Sequence, residues 1–185
     1  MRTFDKWRRE KIHERKLEVA FEALTLAYES SMVFDDIRRS MIREYEWADM
    51  PTEGMSKEQI ERSRSPYALI SRFSRHSEFF DRVLKVQPRL MAVFGPATEV
   101  TVNKLHQARH LIQMACEMLI EIPDPRPGTG EWDLILQARS DIWGVNSSGV
   151  KEPERVTKLL REFRAEIEAK CGPLVNQEYK SDDGE

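Results

Sequence analysis

Leu17-Glu-Val-Ala-Phe-Glu-Ala-Leu-Thr-Leu-Ala-Tyr-Glu-Ser-Ser31 is the stretch that decides the fold class. Its apolar residues Leu17, Ala20, Phe21, Leu24, Ala27 and Tyr28, with Ser31 closing the row, recur at three- and four-residue spacing, which is one face of an α-helix. No Gly or Pro interrupts the chain on either side, so this spacing predicts a single helix from about Asp5 to Tyr45. Glu18, Glu22 and Glu29 lie in its most apolar part, and each carboxylate at membrane depth costs roughly 2–3 kcal/mol or more, so the segment is not expected to span a bilayer. Before Leu17 the same face carries Lys6, Glu10 and His13. The first sixteen residues are therefore an arm that need not touch the core.

Beyond this helix, Gly and Pro fall between periodic segments and divide the chain into about five helices. Ser56 and Gln59 have the spacing of a capping box that starts a short helix ending near Arg64. Ser65-Pro66 reads as a restart, followed by a seam of Ile70, Phe73, Ser77, Phe80, Leu84, Gln87, Met91 and Phe94, with a kink or break expected at Pro88. Gly95-Pro96 opens the next helix, which runs to about Glu121 and is apolar nearly all round between Leu111 and Ile120. After a Pro- and Gly-rich loop at 123–130, a helix spans about Glu131 to Trp143. Residues 145–152 read as a loop, and Pro153 opens a last helix that Gly172-Pro173 should end. No alternating run of convincing length appears, so no sheet is predicted. The expected fold is all-α, a helical bundle with a long N-terminal helix. Its parts are a basic arm at 1–16, a bundle domain at 17–173 and an acidic, frayed tail at 174–185. Phe73, Phe80, Leu105, Ile112 and Phe163, each central in its stripe, are the expected core anchors.

The composition agrees with this architecture. Of 185 residues 40% are hydrophobic and 33% charged, enough for a real core and well-solvated outer helix faces. A net charge of −3 gives no global attraction to nucleic acid or anionic membrane. Cys116 and Cys171 are far apart and form no Cys-x-x-Cys, so they read as reduced, buried thiols. Residues 1–16 contain no apolar signal-peptide core, and the expected location is cytoplasmic.

Several segments carry a resemblance. Glu14 to Glu29, Ile37-Arg-Arg39, Phe79-Phe-Asp-Arg82 and Arg89-Leu-Met-Ala-Val-Phe-Gly95 together resemble a group of uncharacterised bacterial all-helical proteins. The resemblance implies a helical fold and, in many relatives, an N-terminal membrane anchor. It implies no catalytic residue.

Candidate chemistry is sparse. His106 and His110 stand four apart, the spacing at which two imidazoles on one helix face share a metal, but Gln-Ala-Arg lies between them without the glutamate a metalloprotease site needs. They fall opposite the Leu105/Ile112/Leu119 stripe, on the face expected to be solvated. Glu10…His13 matches half of a di-iron motif and Arg8…His13 a helical-ribonuclease spacing, both in the arm. His76 shares a flanking position with Leu69, Val83 and Leu90 and is expected to be half-buried and hydrogen-bonded to a neighbouring helix. No phosphate-binding glycine loop or nucleophile elbow occurs, and no cofactor is expected.

The arm is the remaining candidate. Arg2, Lys6, Arg8, Arg9, Lys11, Arg15 and Lys16 stand against Asp5, Glu10 and Glu14, a local charge of about +4 around Trp7. Trp7, Arg8, Arg9, Lys11 and Arg15 are the candidate binding residues, with the tryptophan as anchor and the cations steering the approach. An acidic protein or a second copy of the chain, paired as an antiparallel homodimer, is the expected partner. Interleaved carboxylates disfavour nucleic acid, and Phe4, Trp7 and Ile12 bury little area on a membrane surface. The expected function is a non-enzymatic interaction or self-association module. The alternative is an enzyme whose site assembles only in three dimensions, an RNA-cleaving or metal-dependent bundle.

Overall fold

A computed structural model describes residues 2–122, 126–144 and 154–182, with side chains described over the same ranges except at 2, 3, 5 and 177–182. Six α-helices follow one another: α1 (Arg2–Ile37), α2 (Lys57–Arg75), α3 (Ser77–Phe94), α4 (Thr98–Glu121), α5 (Gly130–Trp143) and α6 (Arg155–Asp182). A single turn of 3-10 helix, Glu44–Glu46, lies between α1 and α2, and no strand occurs among the described residues. The fold is the all-α bundle the sequence predicts. No helix among the described residues is long and apolar enough to cross a membrane.

α4 packs against α2, α3, α5 and α6 and is the central helix, as its apolar second half predicts. α1 lies against α3 and, antiparallel, against α6: Arg38 reaches Thr157 at one end, while Leu24 and Thr25 share a groove with Gly172 and Val175 towards the other. The five expected anchors Phe73, Phe80, Leu105, Ile112 and Phe163 are all buried in one continuous core. Cys116 and Cys171 are free and buried there, and burial pushes their thiols up to about 12 and about 11. The loop expected at 145–152 and the opening of the last helix at Pro153 lie outside the described residues.

Four boundaries differ from the sequence reading. α1 stops at Ile37 rather than near Tyr45. α2 begins at the predicted capping box, where Ser56 Oγ accepts from Gln59 N at 3.2 Å, but it continues through Pro66 to Arg75. The break falls instead at His76, which ends α2 and precedes α3. α3 continues through Pro88, and α6 through Gly172 and Pro173 as far as Asp182, so residues 174–182 continue the last helix instead of forming a tail, and Val175 is buried. Pro88 and Pro173 are exposed, so the carbonyl that each leaves without an intrahelical partner lies on a wet face where water serves it. Pro66 is buried among Ser63, Ala68 and Leu69, and the packing of that face against α4 outweighs the missing hydrogen bond.

The face assignments shift as well. Ile70 and Leu84, placed in the predicted seam, are exposed, and the positions beside them, Leu69, Val83, Val86 and Leu90, are buried. On α1 the buried residues are Val19, Ala20, Ala23, Leu26, Ala27, Ser30, Val33, Phe34 and Ile37. Phe21 and Tyr28, predicted on the core face, point outward and are about half exposed. Small side chains at Ala20, Ala23, Ala27 and Ser30 let α1 approach its neighbours closely, and the bulky rings are left outside.

Candidate functional site

Two buried ionic joints fix the C-terminal end of α1 and so orient the whole helix. At the first, Arg72 of α2 is fully buried and pairs side-on with Glu46, Nε to Oε1 at 2.9 Å and Nη2 to Oε2 at 2.8 Å. Its remaining donors reach the carbonyls of Ile37 at 3.0 Å, Arg39 at 2.5 Å and Met41 at 2.7 Å. A planar fork suits this double task, since it takes a carboxylate on one edge and backbone oxygens on the other. These bonds satisfy carbonyls that would otherwise want helical N–H partners, which is why α1 unwinds after Ile37. The hydrogen bond from Arg72 holds the Glu46 carboxyl down at about 2 against the opposing effect of its burial. Around the pair, Arg75 reaches Glu46 at 2.8 Å, and His76 Nε2 lies 2.9 Å from Asp36 Oδ2. The bond from His76 lowers the Asp36 carboxyl below its usual value. His76 is thus the half-buried, cross-helix imidazole expected from its position, and it pins the α2–α3 break to α1.

At the second joint Arg38 donates to Ser140 O at 3.3 Å and Ile142 O at 3.4 Å, the carbonyls at the end of α5. It also pairs with Glu154 at 2.8 Å, whose carboxylate accepts from Val156 N and Thr157 N at the start of α6. Arg38 thus closes the end of α5 and holds Glu154, which closes the start of α6, so each helix end meets the charge sign that its dipole favours. Neither joint was visible in the sequence, because Arg72, Arg38, Glu46 and Glu154 have no signature separating them from surface charges.

His106 and His110, the two weak metal candidates, have different surroundings. His106 is half-buried, contrary to the solvated position expected for it, and its Nε2 lies 3.2 Å from Gln87 Oε1 on α3, while His110 is exposed. Burial, assisted by the charge of Arg109, lowers the His106 pKa. Among the described residues no group of three or more His, Cys, Asp or Glu is placed to hold a metal ion.

The candidate binding residues all belong to the exposed N-terminal part of α1. Residues 6–16 are all exposed, with Trp7 54% accessible and its ring centroid 5.9 Å from that of Phe4. Arg8, Arg9, Lys11 and Arg15 are exposed along the same helix. Short-range pairs tie parts of the arm to itself, Lys6 to Glu10 at 3.7 Å and Lys11 to Glu14 at 2.6 Å.

The structure adds the continuation of this surface. Phe4, Trp7, Phe21, Tyr28 and Met32 are all between 46% and 67% exposed. Together with Lys11, Glu14, Glu18 and Thr25 they occupy positions 4, 7, 11, 14, 18, 21, 25, 28 and 32, an unbroken alternation of three and four. At 3.6 residues per turn these positions fall within an arc of roughly 120°, on the side opposite Ala20, Ala27 and Phe34. Shallow grooves flank the stripe. One is shared with α6 at Gly172 and Asn176, the other with α3 at Arg89 and Val93. The Arg164 guanidinium lies 4.8 Å from the centre of the Tyr28 ring at the α6 border. The signal was present in the sequence as a second period on the same helix, masked by treating Phe21 and Tyr28 as core.

Comparison of the chain with protein families, curated proteins and solved structures finds no match.

Proposed function

We propose that this protein is a non-enzymatic helical interaction module that binds through the outer stripe of α1. One observation carries the reading: α1 is apolar on two opposite faces, and only one of them is buried. A helix with two apolar faces is built to be packed on both sides. Five large apolar side chains are exposed on a single stripe in two clusters, Phe4 and Trp7 at one end and Phe21, Tyr28 and Met32 at the other, with Lys11, Glu14 and Glu18 between them; clustering of this kind marks association surfaces, whereas singly scattered apolar residues need no explanation. The polar groups that converge from several helices at Arg72 and Arg38 are engaged with one another and with backbone carbonyls, which supports a structural rather than a catalytic use of them.

The test places a photo-crosslinking amino acid at Lys11 or Thr25, within the stripe, and at Leu134, which is 47% exposed on α5. In the cells that make the protein, the two stripe positions should give discrete adducts and Leu134 none. Absence of adducts from the stripe, or equal yields from all three sites, overturns the reading.

A further inference from the structure

We infer that the occupant of this stripe is the α1 helix of a second copy of the chain, lying antiparallel across a two-fold axis near residues 19 and 20. The inference rests on the interaction surface proposed above and adds its partner and register.

The positions from Trp7 to Met32 are spaced the same in both directions, which an isologous antiparallel contact requires, and Phe4 lies one step beyond them at the end of the stripe. Alternating the two kinds of seam position in layers puts Trp7 against Met32 of the other copy, Lys11 against Tyr28, Glu14 against Thr25 and Glu18 against Phe21. Each apolar end of one stripe then covers the opposite end of its twin. The polar middle, Lys11, Glu14 and Glu18, meets a ring, a hydroxyl and a ring, so no two like charges stack on the axis.

Charge on the rim selects the orientation. Arg8, Arg15, Glu22 and Glu29 recur at seven-residue intervals along one edge of the stripe, two basic residues followed by two acidic ones. In an antiparallel pair equivalent edges face each other, so Arg8 meets Glu29 and Arg15 meets Glu22, twice each by symmetry. Arg82 and Arg89 of α3 already hold Glu29 and Glu22 in place, and both carboxylates stay about a third exposed. A parallel pair would set Glu22 and Glu29 beside Leu17 and Leu24, so that their exposed edges gain no cation from the other copy. On the opposite edge the antiparallel register brings Leu17 to Leu24, both only half-buried in the single chain.

The available area is in the right range. Half-exposed rings at Phe4, Trp7, Phe21 and Tyr28 offer roughly 100 Å² each, about 800 Å² over a pair. Met32, the leucines and the aliphatic stems of the arginines add the rest of the roughly 1,200 Å² at which stable interfaces begin.

Light scattering on the purified chain should show the mass rising from 21.7 kDa to twice that value across the micromolar range, with Trp7→Glu moving the midpoint at least about tenfold upward. A strict monomer at several hundred micromolar overturns the inference. Register is read with Glu14→Cys plus Thr25→Cys, which should form a doubly bridged covalent dimer under mild oxidation, while either single substitution does not. The native cysteines are buried and do not compete. Dimers bridged equally well by Glu14→Cys alone would overturn the antiparallel register. A charge exchange provides a second route: Arg8→Glu with Arg15→Glu, and separately Glu22→Arg with Glu29→Arg, should each abolish self-pairing, and mixing the two should restore a heterodimer. If the glutamate variant fails to fold, the cysteine pair decides alone. Adducts from the stripe whose mass is not a multiple of this chain, with the pure protein monomeric, would overturn the second copy while leaving the interaction surface standing.

Discussion

The two ends of α1 are both rich in charge and behave as opposites. At the C-terminal end Arg72 and Glu46 are sealed from water, and besides its two bonds to the Glu46 carboxylate the arginine donates to the carbonyls of Ile37, Arg39 and Met41, which closes the helix. At the N-terminal end Lys6 and Glu10 sit 3.7 Å apart with most of both side chains in water. An exposed pair of that kind contributes about 0.3–0.5 kcal/mol, whereas removing one partner of a buried pair costs about 3–5 kcal/mol. The number of charges on a helix thus says little about what they hold together; their exclusion from water decides it. One end of α1 is part of the scaffold, and the other is presented by it.

The largest expected effect tests the sealed end. Arg72→Leu takes the buried fork away from the Glu46 carboxylate, leaving it Arg75 and the Arg43 N–H, and removes donors from the carbonyls of Ile37, Arg39 and Met41; urea denaturation should show a loss of about 3–5 kcal/mol. Arg72→Lys keeps the charge but not the fork and should recover only part of this. A loss within 1 kcal/mol for Arg72→Leu would show that the joint is no stronger than the surface pairs of the arm.

A smaller effect follows from protonation. Glu46 has a folded pKa of about 2 against an ordinary 4.5, so its stabilising contribution is complete above about pH 4.5 and is lost as the pH falls towards 2. The urea midpoint of the native chain should decline across that window more steeply than that of an Arg72→Leu, Glu46→Leu double variant. Asp36 and Glu166, lowered by His76 and Lys104, contribute a decline shared by both proteins, so the difference reports the joint. Parallel profiles would remove Glu46 from the account of acid unfolding.

The smallest effect is expected at the open end. Deleting residues 2–16 removes only exposed positions among those whose side chains are described, since burial on α1 starts at Val19. At dilutions where the chain is monomeric, the melting temperature and its cooperativity should change by no more than about 0.5 kcal/mol of stability permits. The same deletion should abolish concentration-dependent pairing. Loss of cooperative melting in the dilute protein would instead make the arm part of the bundle.

The sequence by itself determined the fold class, the capping box at Ser56, the five core anchors and the exposure of the arm. Each of these is a local property: helical period, a cap spacing, or the absence of an apolar stripe before Leu17. Only the tertiary structure decided where α1 ends, where α2 gives way to α3 and which face of α1 is buried. The first two depend on Arg72 and His76 meeting backbone and Asp36 from distant parts of the chain, and no local preference for stopping exists at Ile37 or Arg75. The third was misread because large apolar residues were taken as core, whereas Ala20, Ala23, Ala27 and Ser30 are the ones buried. Close helix packing selects small side chains, and it leaves Phe21, Tyr28 and Met32 on the surface, about half exposed or more in the single chain.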